Sequence, residues 1–390
     1  MKIVIDATAA ISGGKLYLEK LLPQLADLDS GHEFIVFHAG DLAPLAAAVT
    51  KGSVRFVRAA IPFLRDGQWA GASIMRVLWR KFVLPIHLWR LQPDVLFSNS
   101  GTVPLAKPAK TRTVIALHNC MPLDQTLIAE ERSPVRRWRL RMLRRQMQHS
   151  LRAADGSIAF SEDTRRRIRD NFGELAYAPA VVHHAIDWGE TERQSVVSPD
   201  ELRRVGIKRP YLLYVSQFHR YKNVVRLLEA FARLAANHPQ LQLVLVGSAA
   251  DGEYWNEITE TIELLDLTER VIDRPAVPRQ QLIALYRNAL GFVQPSLAET
   301  CSFPLLEALA MGVPAAAANS TAMPEMAGDA AIYFDPLNVG EMADAMERLV
   351  WDERLRGELS QKAIAQAAKF TWEESARRTL AVLEQVSTKQ

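Results

Sequence analysis

Short apolar runs rich in valine, isoleucine and leucine alternate along the chain with longer amphipathic stretches. This alternation is typical of parallel strands that are buried on both faces and linked by crossover helices, so it predicts an α/β protein. The first set of predicted strands covers residues 2–6, 33–38, 53–58, 95–98, 112–117, 156–160 and 180–183. The second set covers residues 211–216, 241–247, 271–274, 291–294, 313–317 and 331–334.

A polar stretch without apolar periodicity separates the two sets of strands, and the pattern then starts afresh. A chain of 390 residues also has the length of two domains rather than one. We therefore predict a first α/β domain over 1–190, a linker over 191–208, a second α/β domain over 209–369, and a helix over 370–390 that packs back toward the first domain. Two sheets that face each other would form a cleft, where small-molecule sites preferentially occur.

The composition, 48% hydrophobic and 23% charged, is that of a globular protein. No segment reaches the roughly 18 uninterrupted apolar residues of a membrane span, and the first apolar run is too short for a signal peptide. The two cysteines, Cys120 and Cys301, lie far apart and outside any metal-ligand spacing. This usage predicts a reducing compartment without disulfides or a zinc site, so we expect a cytoplasmic protein.

The segment 295–314 is the densest candidate site, because a predicted strand ends there, a polar loop follows and a helix begins with Pro304. We expect free N–H groups around 302–306 and the positive end of the helix dipole to suit a diphosphate or sugar oxygens. Glu299 at the loop mouth and Glu307 one turn into the helix can each accept paired hydroxyl hydrogen bonds. Taken alone, two glutamates at this spacing are more often a solvated loop residue and a first-turn residue favoured by the dipole.

An ordered series of motifs surrounds this segment. It runs from 211–215 through Lys222-Asn223, 243–247, Tyr286-Arg-Asn-Ala289 and the glutamate pair to Pro324-Glu325 and Gly328-Asp-Ala330. The series resembles the retaining GT-B glycosyltransferases of family 4, of the bacterial surface-polysaccharide type, and the match is strong over residues 210–340. The resemblance implies two facing Rossmann-like domains with a deep interdomain cleft. It also implies that the second domain binds the donor and the first binds most of the acceptor.

The resemblance also implies roles for individual residues. Glu307 would hold the ribose hydroxyls of the donor nucleotide, Glu299 would contact hydroxyls of the transferred sugar, and Lys222 would neutralise the diphosphate. The other donor contacts expected in this half are Val277, Ser302, Phe303, Leu305 and Leu306. Because side chains and helix dipoles usually meet the leaving-group charge in this fold, we predict no metal and no cofactor.

Two segments of the second half depart from the family pattern. Ser216-Gln217 stands where the family commonly has Gly-Arg, so the usual phosphate-binding arginine is missing at its expected place. Arg220 lies two residues before Lys222 and is the candidate replacement, the alternative being an exposed loop arginine. Ser302 stands where glycine is common, which affects the conformation expected for the loop.

The first half carries weaker signals. Gly13 and Gly14 follow the first strand, and a glycine pair allows close backbone approach to a ligand, although such a pair is more often merely a turn. His118 follows the strand over 113–117, and with Asn119 it resembles the His-Asp segment of the family, asparagine replacing the acid. At the carboxyl edge of a strand we favour a polar contact from His118 to the donor sugar over a structural role. His118 thereby joins Glu299 and Lys222 as a candidate catalytic residue.

Residues 132–152 contain eight arginines and no acidic residue, interleaved with apolar side chains. A basic amphipathic helix of this kind could lie on anionic lipid, or its apolar residues could simply face the core. Residues that could extend the same surface are Trp69, Met75, Trp79, Arg80, Lys81, Phe82 and Trp89. Nucleic acid is a poorer explanation of the charge, because no recognised reading module accompanies it.

We therefore expect a retaining hexosyltransferase that uses a GDP- or UDP-sugar donor. Its acceptor would be a glycan or a lipid-linked intermediate of surface polysaccharide or lipopolysaccharide synthesis, reached from the inner face of the cell membrane. A nucleotide-sugar epimerase or a sugar phosphorylase on the same architecture is one alternative, and it would leave the basic helix without a role. A catalytically silent nucleotide-sugar-binding scaffold is another, and the departure at Gln217 keeps it open.

Overall fold

The structure is a computed structural model, and it describes residues 1–9, 12–28, 31–40, 42, 45, 49, 53–61, 72–186, 188, 192–193, 202 and 206–388. Trp69 and most of the linker predicted over 191–208 lie outside the described residues. The chain divides into two compact units. The first comprises Met1–His184 together with Trp372–Gln390, and the second comprises Ala185–Thr371.

The first unit is built on a seven-stranded parallel sheet. Its strands are β1 (Lys2–Ala7), β2 (Glu33–His38), β3 (Val54–Arg58), β4 (Val95–Ser98), β5 (Arg112–Ala116), β6 (Gly156–Ala159) and β7 (Ala180–Val181), in the order β3-β2-β1-β4-β5-β6-β7. The helices are α1 (Ser12–Asp27), α2 (Ala72–Leu78), α3 (Leu84–Leu91), α4 (Gln125–Glu130), α5 (Pro134–Ala153) and α6 (Glu162–Phe172). The central strands consist of buried residues, as expected where helices cover both faces of a sheet.

The second unit is built on a six-stranded parallel sheet. Its strands are β8 (Tyr211–Val215), β9 (Gln242–Val246), β10 (Val271–Arg274), β11 (Gly291–Gln294), β12 (Ala315–Ala318) and β13 (Ala331–Phe334), in the order β10-β9-β8-β11-β12-β13. The helices are α7 (Val224–Ala235), α8 (Gly252–Leu264), α9 (Arg279–Asn288), α10 (Phe303–Ala310), α11 (Met323–Ala327), α12 (Val339–Trp351) and α13 (Glu353–Ala367). Both sheets therefore follow the doubly wound strand order.

The last helix, α14 (Trp372–Ser387), belongs to the first unit although it follows the second in sequence. It packs against α1, where the hydroxyls of Tyr17 and Thr379 lie 3.3 Å apart. Gly156 in β6 leaves room for Val386, because a Cβ at that position would lie 2.8 Å from Cγ2 of the valine.

The order of the strands reverses beside the first strand of each unit. β1 pairs with β2 on one side and β4 on the other, and β8 pairs with β9 and β11 in the same way. The loops that leave these neighbouring strands diverge, which opens a crevice at the carboxyl edge of the sheet, the usual ligand position in such sheets. Lys222 follows β8 and Glu299 follows β11, so both belong to the crevice of the second sheet.

The structure matches most of the predicted elements and differs at two instructive places. The strand predicted over 180–183 ends at Val181, where β7 forms the edge of the sheet with one neighbour. The helical spacing of residues 75–89 predicts one helix there, but a wide π-turn, Trp79–Val83, interrupts it between α2 and α3. Pro85, which follows this turn, has no N–H with which to continue the regular hydrogen-bond ladder, so the ladder widens before it.

Gly247 allows the loop after β9 to approach the loop after β8. A Cβ at this position would overlap the carbonyl oxygen of Ser216, whereas a Cβ at Gly252, the first residue of α8, would have open space around it. We predict that Gly247→Ala lowers the free energy of unfolding by about 3 kcal/mol, because the backbone has to shift. The matched Gly252→Ala should change it by less than about 1 kcal/mol. Urea unfolding of both variants checks this, and equal stability of the two would contradict it.

Candidate functional site

Lys222 and Glu299 meet at the carboxyl edge of the second sheet. The Lys222 ammonium nitrogen, Nζ, lies 2.5 Å from Oε1 of Glu299, and the two residues are only 9% and 8% exposed. Lys222 ends the 3₁₀ turn Arg220–Lys222 that follows β8. The two side chains thus form a buried ion pair, in which each charge is compensated by the other.

Asn223 holds together the turn and the loop that carry this ion pair. Its φ of 63° lies in the left-handed region, which asparagine tolerates. Its side-chain amide donates to the carbonyl oxygens of Pro295 at 3.1 Å and Pro336 at 2.7 Å. The amide of Leu297 adds a 2.7 Å bond to the carbonyl of Tyr221. No role was predicted for Asn223, although its position directly before a helix, next to the candidate lysine, is a signal for one.

Gln294, the last residue of β11, also orients Glu299. Its side-chain nitrogen donates to Ser296 Oγ at 2.8 Å and to Glu299 Oε1 at 3.3 Å. Oε1 of Glu299 thus faces two donors, while Oε2 makes no hydrogen bond with any described residue and is available to a ligand. Sequence reasoning missed Gln294, and the available signal was a polar residue at the end of a buried strand.

Glu307 lies in the first two turns of α10, half-buried, and is held by Tyr286 of α9. The Tyr286 hydroxyl lies 3.0 Å from Oε2 of Glu307 and 3.1 Å from the carbonyl oxygen of Pro304. Burial, together with the neighbouring charge of Glu307, raises the pKa of Tyr286 well above its ordinary value. The phenol therefore stays protonated, and its hydroxyl donates a hydrogen bond that orients the Glu307 carboxylate.

The start of α10 differs from the sequence prediction. The amide of Leu305 donates to Oγ of Ser302 at 3.4 Å, and the amide of Leu306 donates to the carbonyl of Ser302 at 3.0 Å. The prediction that these two amides are unpaired is therefore wrong. The physical reason is the serine itself, because its hydroxyl caps the helix and satisfies an amide that glycine would leave open. Phe303 is the first residue of the helix and is half-buried, and the roles of these residues toward a donor stay predictions.

Arg220 forms an ion pair with Glu257 of α8, and its guanidinium lies 5.2 Å from the ring centre of Tyr254. It is therefore not a freely exposed loop arginine. Gln217, which replaces the usual arginine of the family, is exposed. For Arg220 to contact a phosphate, the phosphate would have to replace the Glu257 carboxylate as its partner. The role of Arg220 as the second phosphate contact stays a prediction.

Val277 lies between β10 and α9 and is half-buried. It lines a small cavity together with Arg274, Gln281 and Ala284. Val277 lies on the connection after a strand, and its contact with the donor stays a prediction.

Gly14 and His118 come together in the first unit through Asn99. The side-chain nitrogen of Asn99 donates to the carbonyl of Gly14 at 3.1 Å, and its Oδ1 lies 2.7 Å from Nε2 of His118. Because the amide nitrogen of Asn99 faces a carbonyl, its oxygen must face the imidazole, so Nε2 of His118 carries the proton. A Cβ at position 14 would lie 3.4 Å from Nδ2 of Asn99 and 3.7 Å from the imidazole ring, which are ordinary contact distances, so the space here does not require glycine. Gly13, one residue earlier, is exposed.

His118 is an uncharged group. Its ring centre lies 5.2 Å from that of Tyr17, 4.5 Å from that of Phe160 and 5.6 Å from that of His184. Desolvation by these rings lowers the pKa of His118 to about 3, and burial lowers the pKa of His184 well below its ordinary value. At neutral pH His118 therefore brings no positive charge to a phosphate, and a ligand beside it would meet a neutral polar ring.

The basic helix predicted over 132–152 exists as α5, and its apolar residues divide between solvent and core. Val135 and Trp138 are exposed by 75% and 63%, whereas Met147 is buried. Arg144 donates to the carbonyl of Pro122 and lies 4.7 Å from the ring centre of Phe172, so this arginine has a structural role. The first half of α5 is thus the part that presents apolar side chains outward, and its exposed arginines are Arg139 and Arg141. Arg132 before the helix, and Arg145 and Arg152 in its second half, are exposed as well.

The segment 72–91 exposes a second apolar row. Its exposed apolar side chains recur at intervals of three or four and are Ile74, Leu78, Phe82, Ile86 and Trp89. Lys81 is exposed beside them. Trp79 was expected on this surface, but it is buried against Phe37 with ring centres 5.7 Å apart, and Met75 packs against the same core. We call the exposed faces of α5 and segment 72–91 the amphipathic surfaces.

None of the helices in the described ranges is long and apolar enough to cross a membrane. Within the same part of the chain, no group of three or more histidine, cysteine, aspartate or glutamate side chains is placed to hold a metal ion.

Comparison with known proteins gives consistent matches over both units. The family model described as glycosyl transferases group 1 matches residues 199–369, and that of Glycosyltransferase Family 4 matches residues 11–189. O-antigen chain mannosyltransferase B of Escherichia coli is 29% identical over 170 residues, which are 44% of this chain and 44% of that protein. The matched part thus spans less than half the length of that relative.

Solved structures resemble the whole chain. Sucrose-phosphate synthase from Thermosynechococcus elongatus aligns with a TM-score of 0.74 at 17% identity, over 99% of each chain. Anabaena HepE in complex with UDP-glucose aligns with a TM-score of 0.72 at 17% identity, over 99% of this chain and all of that one. At this identity the likeness shows the fold alone, and it confirms the predicted GT-B fold class.

The depressed pKa of His118 predicts a pH-dependent stability. Between about pH 3 and pH 6.5 His118 is protonated in the unfolded chain but neutral in the folded protein. The free energy of unfolding therefore falls as the pH falls below 6.5. One such proton contributes at most about 1.4 kcal/mol per pH unit. We expect His118→Gln, which keeps a donor for Asn99, to lose less stability than the wild type between pH 7.5 and pH 5. Equal losses in denaturant unfolding would contradict the neutral state of His118.

Proposed function

The chain belongs to the group 1 glycosyltransferases, and on this premise we propose that it transfers a hexose from a nucleoside-diphosphate sugar to a glycan or lipid-linked acceptor. The observation that carries the proposal is the buried ion pair of Lys222 and Glu299 at the switch point of the second sheet. A site of this kind offers a cation and a carboxylate to one ligand that contains both phosphate and hydroxyl groups.

Each of three side chains of the second unit would contact a different part of the donor. Nζ of Lys222 would contact the diphosphate, and Oε2 of Glu299 would accept hydrogen bonds from hydroxyls of the transferred sugar. Glu307, oriented by Tyr286, would accept the ribose hydroxyls. Lys222 and Glu299 are neighbours in space, and so are the diphosphate and the sugar of such a donor, which supports this division.

The reaction follows from where charge develops. The bond between the anomeric carbon and the β-phosphate oxygen breaks, and the acceptor oxygen bonds to that carbon on the same face, with retention of configuration. The acceptor proton passes to the departing phosphate oxygen. Lys222 would stabilise the negative charge that grows on this phosphate, so we propose that no divalent cation and no cofactor takes part. His118, neutral and fixed by Asn99, would hold a hydroxyl of the transferred sugar.

The known relatives support a donor and acceptor class. Anabaena HepE was crystallised with UDP-glucose, and a mannosyltransferase of O-antigen synthesis is among the relatives. We propose a UDP- or GDP-hexose as the donor, and an intermediate of surface polysaccharide or lipopolysaccharide as the acceptor. The exposed tryptophans and cations of the amphipathic surfaces support a peripheral position on the inner, anionic face of the cell membrane.

Nucleotide binding tests the donor site. We predict that saturating UDP or GDP raises the melting temperature by roughly 5 °C, and that chelation of divalent cations leaves this shift unchanged. Lys222→Met should lower stability by about 3–5 kcal/mol because Glu299 stays buried without its partner. The double variant Lys222→Met with Glu299→Gln is the better test, because it removes both charges together. It should recover much of that stability and still lose the nucleotide shift.

Arg220→Ala is the comparison variant in this experiment. A reduced nucleotide shift in Arg220→Ala would assign the second phosphate contact to Arg220, and an unchanged shift would remove that assignment. A double variant that keeps the full nucleotide shift would contradict the proposed role of the ion pair. So would a shift that is lost with a chelator and restored by magnesium or manganese.

Vesicle binding tests the membrane contact. We predict that the protein sediments with vesicles containing phosphatidylglycerol but not with pure phosphatidylcholine vesicles, and that salt weakens this binding. Trp138→Ser on α5 should weaken it several-fold, since an exposed aromatic side chain is lost from the proposed contact. Trp351→Ser on α12 removes a comparably exposed tryptophan from the second unit and should have no effect. Binding indifferent to lipid charge, or to Trp138→Ser, would overturn the membrane contact.

A further inference from the structure

A cavity of about 120 Å³ lies in the first unit, at the carboxyl ends of β4 and β5. Ser100 and Thr102 line it on the side of the strand ends, Gln146 and Met147 line it on the side of α5, and His118 borders it. The volume is close to the roughly 150 Å³ of a protein cavity that accepts a benzene ring. A six-membered ring is therefore the size of ligand that it suits.

The side chains that line the cavity are uncharged. None of its described lining residues is an aspartate, a glutamate, a lysine or an arginine, and His118 is neutral because its pKa is lowered to about 3. Arg80 is not part of the lining, and its Nη1 donates to Oγ1 of Thr102 at 3.0 Å. A phosphate or carboxylate would lose its hydration here without gaining a cationic partner, so the cavity favours an uncharged ligand.

The polar groups of the cavity suit hydroxyls. Thr102 accepts from Arg80, which leaves its own proton to donate, and the oxygen of Ser100 lies 2.8 Å away. Gln146 is half-buried, and its carboxamide makes no hydrogen bond within the described part of the chain. A carboxamide can donate to one hydroxyl and accept from its neighbour, which matches a pair of adjacent sugar hydroxyls.

The apolar part of the lining completes this match. Leu143 and Met147 of α5 and Pro122 after β5 present carbon and sulfur atoms to the same space. A sugar ring has the same two kinds of surface, since it carries hydroxyls at its edge and C–H groups on its faces. Water alone would satisfy the polar groups but would leave this apolar side without a partner.

We propose that this cavity is a subsite for an uncharged sugar ring of the acceptor. The inference rests on the proposed transferase function, because His118 both borders the cavity and is the candidate contact for the transferred sugar. The acceptor ring would thus lie next to the sugar that it receives. A sugar that carries phosphate or carboxylate on the part held by the cavity would be excluded.

Binding of simple glycosides to the full chain tests this subsite, with UDP present throughout. Saturation-transfer NMR would compare methyl α-mannoside and methyl α-glucoside with glucose 6-phosphate. We expect at least one neutral glycoside to bind at least about tenfold more tightly than the sugar phosphate. Gln146→Leu, which keeps the size of the side chain but removes its amide, should weaken the glycoside roughly five- to tenfold. Gln148→Leu is the matched control, since Gln148 lies on α5 outside the cavity lining and its loss should change nothing.

The nucleotide-induced melting shift, measured on the same samples, separates the two proposals. The subsite is supported if Gln146→Leu keeps the full shift with UDP or GDP and loses the glycoside. It is overturned if Gln146→Leu binds the glycoside as well as Gln148→Leu does, if the sugar phosphate binds more tightly, or if the wild type binds nucleotide but neither glycoside. A wild type that binds neither UDP nor GDP would instead overturn the proposed function.

Discussion

The contact between Lys222 and Glu299 is the constraint on which the site of the second unit depends. Both side chains are buried, each compensates the charge of the other, and each comes from a loop that leaves a different strand. Their meeting follows from the order of the strands, because β8 and β11 are neighbours at the point where the order reverses. Asn223 and Gln294 then fix the pair, the first by joining loops and the second by facing the carboxylate.

The two units offer different electrostatic environments to a ligand. The second unit supplies a cation and carboxylates, which suit a nucleoside diphosphate and the hydroxyls of its sugars. The first unit supplies a neutral imidazole, amides and hydroxyls, and the lining of the cavity beside His118 is likewise uncharged. This division has a physical reason, since a transferase needs fixed charge where its leaving group ionises and neutral donors and acceptors where it holds sugar rings.

Irregular backbone in segment 72–91 determines which of its side chains are exposed. Pro85 removes one hydrogen bond from the helical ladder, and the wide turn Trp79–Val83 precedes it. Trp79 points into the core within this turn, while Phe82 points outward. On α5, the helix turns Met147 toward the core and Trp138 toward solvent, so one basic helix contributes both to the cavity lining and to the exposed face.

The order of residues along the chain was enough to predict the class of fold, the positions of most strands and helices, and the candidate residues Glu299, Glu307 and Lys222. These predictions depend on local periodicity and on the order of motifs, both of which are visible in the sequence. Three contacts became visible only in the folded chain: Oγ of Ser302 accepts from the Leu305 amide, Arg220 pairs with Glu257, and Asn99 fixes the proton on His118. Those contacts join residues whose separation in space depends on how strands are ordered and loops are packed, and no local pattern encodes that distance.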